Sequence, residues 1–510
     1  MMIRKIKLYI TLAAVALSAT SCLDKYPEDA ILEKDAMTTV EQANQVVVGI
    51  YSGFKNAPLY SGYLTLLPDL QADFAYAVTG YSNVYGNVWR WDILATNNEI
   101  TDVYGALYAI IGRCNFFLEN VDKVAANTVD DDKLDKLDEC KGEVYFARAL
   151  AYSELIKMFC KAYDPQTAAN ELGVALVSQY SNAPRPKRAS LKESYQFVLD
   201  DLQKAATYLE PDEDDTTVLY NSVYFTIGAV NSLYARVYLY MQDWEKAIEY
   251  STKVIESGDY TLASTTKNSY STTVNDYDYM WQYDASTEII WKVGFELTSY
   301  GGKLGQVFFN TNWVTFKPDY VPATWVLNLY ESGDLRASAF FASATTGYSH
   351  ALTWPLLLKY YGNRTFMSSS IAHVCMPKPF RLSEQYLIRA EAYCNLDKVG
   401  KNPDYTKAGK DLTKLRLARY KSYGGSTTLT SSNWEKTIEN ERVKELYMEG
   451  FRLTDLKRWH KGFERTPQSS TLSPGNSLKI DASNSLFVWP IPQHELQSPD
   501  ADIEPNESNK

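Results

Sequence analysis

With 510 residues, 45% of them hydrophobic and 22% charged, the chain has ample material for a large buried core. Its net charge of −11 argues against a nucleic-acid partner, whose phosphates demand a basic surface. Six cysteines without dense or paired spacing argue against a disulfide scaffold or a zinc site, and the four histidines show no metal-ligand spacing.

In chain order, Arg4, Lys5 and Lys7 precede an apolar run from Leu8 to about Ala19, which predicts a secretory signal over residues 1–21, too short to span a bilayer. Ala19, Thr20 and Ser21 lead directly into Cys22, a pattern similar to a lipoprotein cleavage site at which the cysteine is lipidated. Residues 22–510 then form a single body anchored at Cys22, with a net charge of about −14 once Arg4, Lys5 and Lys7 are removed. Cys114, Cys140, Cys160, Cys375 and Cys394 are expected as small core residues.

Amphipathic periodicity predicts helices at 38–56, 98–124, 133–162, 190–209, 221–241, 243–257, 381–397 and 404–420. Most form adjacent pairs. In the clearest pair, Gly228, Ala229, Ala235 and Ala247 stand where two helices approach, joined by a turn at Gln242 and Asp243. It resembles one tetratricopeptide repeat, a hairpin that needs neighbours to bury its apolar face. The expected fold is mainly α: tetratricopeptide-like hairpin repeats with a long irregular, loop-rich insert at about 259–380, where Ser, Thr, Gly and Tyr replace helical periodicity. Aromatics and short apolar runs such as Glu288 to Phe295 argue against disorder there. The acidic runs Asp130–Asp132 and Asp212–Asp215 lack the spacing of a calcium loop and read as solvated turns.

Residues 433–459, NWEKTIENERVKELYMEGFRLTDLKRW, carry two helical rows. Val443, Leu446, Gly450, Leu453 and Leu456 form an apolar stripe, and Glu441, Glu445 and Glu449 recur at every fourth position. Such a like-charge line needs cations close by, for which Arg442, Arg452 and Arg458 are the local candidates. The expectation is a structural ion-pair lattice, with two short helices meeting at Gly450.

No metalloprotease, Walker, dinucleotide or nucleophile-elbow motif occurs, so no catalytic residue, metal or cofactor is assigned. Aromatics carry the chemistry instead. Tyr is twice as common as Phe, and Tyr and Trp pair a flat apolar face with a polar edge, which suits a sugar ring. One cluster joins Tyr81, Tyr85, Trp89 and Trp91 with Asp73, Asn97 and Asn98; a second, in the insert, holds Trp281, Tyr283 and Trp313.

The run ERVKELYMEGFRLTDLKRW resembles the C-terminal signature of the SusD/RagB family of outer-membrane nutrient-binding lipoproteins, and CLDKYPED resembles that family's mature start. STEIIWKVGFE, YVPATWVLNLYESGDLRASAFF and the tail SLFVWPIPQHEL are also similar, although Ser498-Pro499 replaces the usual Asn-Pro and the closing Gly-Tyr is missing. The resemblance implies a glycan-binding protein, not an enzyme, anchored to the outer membrane and exposed at the cell surface. It would deliver its ligand to a SusC-like TonB-dependent transporter, with the ligand held on aromatics from the loop after the first helix and from the insert. A peptide-binding RagB-type protein is the alternative within the family. A glycoside hydrolase, which needs two carboxylates in one cleft, is a third class.

Overall fold

The computed structural model describes residues 36–180, 186–210, 223–271, 273–310, 315–466, 477–499 and 502–510. The expected signal segment 1–21, Cys22, Trp313 and the run Asp212–Asp215 lie outside them.

Among the described residues, the helices of seven residues or more are α1 (Val40–Phe54), α2 (Tyr63–Gln71), α3 (Asn98–Ala126), α4 (Asp131–Phe159), α5 (Leu191–Leu209), α6 (Ile227–Met241), α7 (Trp244–Glu256), α8 (Asp276–Tyr283), α9 (Leu382–Cys394), α10 (Tyr405–Arg419), α11 (Trp434–Leu446) and α12 (Arg452–Arg458). The periodic stretches thus fold as helices close to where their spacing places them. Local chemistry sets the starts. Thr39 and Ser190 form capping boxes with Gln42 and Glu193, and Asp243 accepts the Lys246 N–H at the start of α7.

Neighbouring helices pack in sequence, α3 on α4, α4 on α5, α5 on α6 and α6 on α7, and the stack continues across the insert as α7 on α9 and α9 on α10. Each apolar face is covered by the next hairpin, as a repeat stack requires. At the turn between α6 and α7, Gln242 adopts a left-handed φ of +60°, and Ala235 and Ala247 are fully buried behind it. Gly228 differs from expectation: a Cβ there would lie 2.2 Å from the Tyr260 hydroxyl, so it makes room for a ring, not for the partner helix.

The insert is more ordered than its composition suggests. It holds α8 and much of the strand content, which among the described residues is ten short strands in five antiparallel pairs: β1 (Ala75–Ala77), β2 (Leu172–Ala175), β3 (Arg188–Ser190), β4 (Ile289–Trp291), β5 (Tyr320–Pro322), β6 (Phe341–Thr345), β7 (Thr353–Leu357), β8 (Phe380–Arg381), β9 (Phe463–Arg465) and β10 (Leu478–Ile480). Two pairings tie the insert down, β1 to β5 with Tyr76 opposite Val321, and β4 to β8. The hairpin β6–β7 projects from it in register from Phe341 opposite Leu357 to Thr345 opposite Thr353.

The C-terminal stretch breaks where the glycine stands. Gly450 has φ +83°, and a Cβ there would lie 2.3 Å from the Leu64 carbonyl oxygen, so α2 and the α11–α12 junction touch backbone to backbone. Asp69 on α2 fixes this contact by accepting the N–H groups of Gly450 at 3.0 Å and Arg452 at 2.8 Å.

The carboxylate line does form a buried ion-pair lattice, but its guanidinium groups come from elsewhere. Glu441 receives Arg336 at 2.7 Å and Arg416 at 2.8 Å, Glu445 receives Arg381 and Arg419, and Glu449 receives Lys359 and Arg381 at 2.7 Å. The local arginines turn away. Arg442 pairs with Asp455, Arg452 with Asp73 and Glu439, and Arg458 with Glu391 and Asp455. Burial alone would raise the Glu441 carboxyl, but the charges of Arg336, Lys444 and Arg416 outweigh it and hold the group at about 2. Every carboxylate of the line is therefore an ionised structural anion.

Candidate functional site

The loop between β1 and α3 is held by what lies beneath it. Arg465 on β9 is buried and donates to the backbone carbonyls of Leu70, Ala72 and Trp89 at 3.0, 3.0 and 2.6 Å, with its guanidinium 4.7 Å above the Trp89 ring. Burial pushes this guanidinium down to about 10, since no carboxylate pairs with it directly. Trp89 donates its indole N–H to Ala75 O at 3.1 Å, and Trp91 donates to Gln71 O at 2.5 Å. Both indoles are buried, as is Asp73, whose carboxylate takes the Arg452 guanidinium at 2.8 and 2.9 Å. Asp73, Trp89 and Trp91 are thus the foundation of the loop. The ligand platform expected of them is not offered to solvent, because their polar edges and charges are consumed by backbone and by Arg452.

What the loop does present is different. Tyr81 and Tyr85 are half-buried, whereas Ser82, Asn83 and Val84 are exposed. The Arg90 guanidinium collects this surface, donating to the Tyr81 hydroxyl at 2.6 Å, to Asn83 Oδ1 at 2.7 Å and to Asn87 Oδ1 at 3.2 Å. Burial holds the Tyr81 phenol above its ordinary value, so it stays a neutral hydroxyl. Tyr85 packs edge-on against Tyr63 at 5.6 Å. Asn83, Tyr85 and Trp91 all have φ between +56° and +65°, a left-handed conformation costly for Tyr and Trp and of the kind that persists where surrounding structure enforces it.

The insert completes the surface. Buried Asp319 accepts the N–H and hydroxyl of Ser82 at 2.6 and 2.8 Å and the Asn310 amide at 2.6 Å, locking the loop to the segment before β5. The tip of the β6–β7 hairpin folds over the same segment, with Tyr348 donating to Pro318 O at 2.8 Å and Gly347 donating to Phe316 O at 2.7 Å. Tyr348 stands against Gly80, where a Cβ would meet its ring at 3.7 Å, and stacks on His350 with centroids 5.3 Å apart and planes 8° apart. The result is a strip of half-exposed rings, Tyr81, Tyr348 and His350, bordered by the fixed polar groups of Asn83 and Arg90. Asn83, Asp319, Tyr348 and His350 were not legible as site residues; the hairpin turn T-T-G-Y-S-H between two short apolar strands was the available signal for the last two.

The other expected residues lie apart from this strip or are spent. Asn97, the N-cap residue before α3, accepts the Leu94 N–H at 2.6 Å, while Asn98, the first residue of α3, is exposed. Trp281 is buried under three cations, with Lys359 at 4.2 Å, Lys378 at 4.8 Å and Arg381 at 5.3 Å from its ring centre, so its faces serve the core. Tyr283 instead joins an outer ladder, stacked on Tyr279 at 4.5 Å, which in turn faces exposed Tyr270 at 6.4 Å.

Among the described residues, no helix is long and apolar enough to cross a membrane. Two family profiles match the chain, one described as starch-binding and associating with the outer membrane over residues 23–239, the other as the SusD family over residues 342–503. SusD-like protein P38 of Formosa agariphila is 23% identical over 429 residues, covering 75% of each chain, and SusD-like protein P25 of the same organism is 22% identical over 507 residues, covering 90% of each. Among solved structures, a SusD superfamily protein of Bacteroides thetaiotaomicron superposes with a TM-score of 0.76 at 23% identity, covering 92% of this chain and 99% of its own. A SusD-like carbohydrate binding protein of Bacteroides vulgatus superposes with a TM-score of 0.70 at 19% identity, covering 90% of this chain and 96% of its own.

Proposed function

This chain is a SusD-like family protein, and from that premise we propose that it captures glycans at the cell surface and passes them to a partner TonB-dependent transporter in the outer membrane. The observation that carries the reading is the strip formed by Tyr81, Tyr348 and His350 beside Arg90 and Asn83. A pyranose offers one face of C–H groups and a rim of hydroxyls, and a flat ring next to pre-oriented amide and guanidinium groups answers both. Tyr85, half-buried in the same loop as Tyr81, adds a further ring on that side. Lipid at Cys22 would confine the body to the membrane, raising the effective concentration of an embedded partner so that a modest interface suffices. The helical stack offers a rigid surface for that partner.

The test is a titration of the purified protein with soluble starch and a panel of other polysaccharides, followed by assay for reducing ends. Saturable binding without product release, weakened at least tenfold in Tyr348→Ala and in Tyr81→Ala, supports the reading. Binding of peptides and of no glycan, or release of sugars by the wild type, sinks it. Delivery is tested separately: a TonB-dependent transporter should co-purify in mild detergent, and purification as a lone chain with unimpaired uptake in a deletion strain rejects it.

A further inference from the structure

Four helix ends converge on the repeat side of the molecule: the α6–α7 turn, the end of α9, the first turn of α11 and the end of α12. Between them lies a cavity of about 320 Å³, room for roughly ten waters and at the lower end of the range for small-molecule sites. It shares no lining residue with the loop strip. Three tryptophans line it, Trp244, Trp434 and Trp459.

Their surroundings define what would fit. The Trp459 N–H is spent on Glu391 at 2.9 Å, which fixes the ring, and its π-face carries Arg458 at 4.6 Å and Lys461 at 5.3 Å. Trp244 carries Lys398 at 5.5 Å. A ligand cation would therefore compete with the protein's own cations at both rings. Charge is balanced around the cavity as well, with Asp164, Glu391 and Glu435 set against Lys398, Arg458 and Lys461. Neither an anion nor a cation is favoured. Trp434 is half-buried, and among the described residues no ring or cation is stacked on it. Asn395, also on the lining, is 2% exposed and keeps its Oδ1 acceptor without a hydrogen-bond partner. A neutral ligand with one flat apolar face and several hydroxyl donors satisfies all of these.

We infer that this cavity is a second binding site, for a single neutral pyranose-sized ring stacked on Trp434. It stands independently of the loop strip. A monosaccharide here would bind with a Kd on the order of millimolar, since few atoms make contact.

The probes are glucose, galactose and mannose, titrated into the intact protein and followed by tryptophan fluorescence and by saturation-transfer NMR of the sugar. Saturable binding of at least one hexose is expected, weakened at least tenfold in Trp434→Ala and in Trp434→Leu, retained in Trp434→Phe, and unchanged in Tyr348→Ala. Leucine keeps apolar volume without a flat face, so it separates stacking from folding if the alanine variant is unstable. No saturable signal from any of the three hexoses, or a signal that both Trp434→Ala and Trp434→Leu leave intact, overturns the inference. A signal abolished by Tyr348→Ala and kept in Trp434→Leu assigns it to the loop strip and equally overturns it.

Discussion

Arg419 and Glu445, 26 residues apart, meet through two parallel hydrogen bonds, Nε to Oε2 at 2.9 Å and Nη2 to Oε1 at 2.8 Å, with neither side chain exposed. The fork geometry makes the pair directional as well as strong, and Arg381 and Arg336 complete the carboxylate's surroundings at 2.8 and 3.2 Å. Glu445→Ala should cost about 3–5 kcal/mol in urea denaturation, because it leaves buried guanidinium groups without a counter-charge. Severing the exposed pair Lys133–Glu41 by Lys133→Ala should leave the midpoint unchanged.

Glu143 makes stability depend on pH in the opposite sense from a paired carboxylate. Burial raises it to about 7, partly offset by the Tyr51 hydroxyl donating at 2.8 Å. A folded value above the unfolded one gives a contribution that is whole below about 4.5 and lost as pH rises through about 7. Glu143→Gln should therefore narrow the difference in melting temperature between pH 5 and pH 8, removing up to about 3 kcal/mol of pH dependence. An unchanged difference would show that the carboxyl is ionised throughout.

Trp89 and Tyr348 should separate folding from binding. Trp89→Ala removes a fully buried indole and should cost about 3–5 kcal/mol. Tyr348→Ala should reduce polysaccharide affinity while lowering the denaturation midpoint far less. Thermal melts and affinity electrophoresis on the same preparations decide between this and a structural role for both.

Gly450→Ala should destabilise by about 1–3 kcal/mol from backbone strain alone, with the 2.3 Å approach to Leu64 O adding to it. Gly258→Ala is the control: its φ is also positive, at +86°, but nothing lies within 4 Å, so it should cost only the strain. Equal losses at the two sites would mean that α2 yields to the added methyl.

How much of this was legible follows from what a spacing can report. A face buried over three or more turns leaves a period, so α1, α3 to α7 and α9 to α11 were readable. α8 buries Tyr277, Met280 and Trp281, an i, i+3, i+4 set that spans a single turn and vanishes among its other tyrosines. α2 was hidden by Pro68 inside it. The need of Glu441, Glu445 and Glu449 for cations was visible, but not that Arg336 and Arg381 would supply them from 109 and 64 residues before Glu445, since spacing along one helix says nothing about what packs across it. Burial divided the aromatics: Trp89 and Tyr81 sit in one loop with similar neighbours, and only the tertiary position of Arg465 makes one a foundation and the other a surface.

Arg465 also sets an order of events. It joins the carbonyls of Leu70 and Ala72 across 395 and 393 residues, and Asp69 reaches Gly450 and Arg452 across 381 and 383. A chain emerging from its N-terminal side therefore holds α2 and the aromatic loop unfinished until Arg465 has been made. Closure of contacts so distant in sequence is slow, and the early segments stay open to chaperones and proteases for as long as synthesis lasts. Truncation from the C-terminal end should accordingly unravel α2 and the loop between β1 and α3 before it touches the middle of the helical stack.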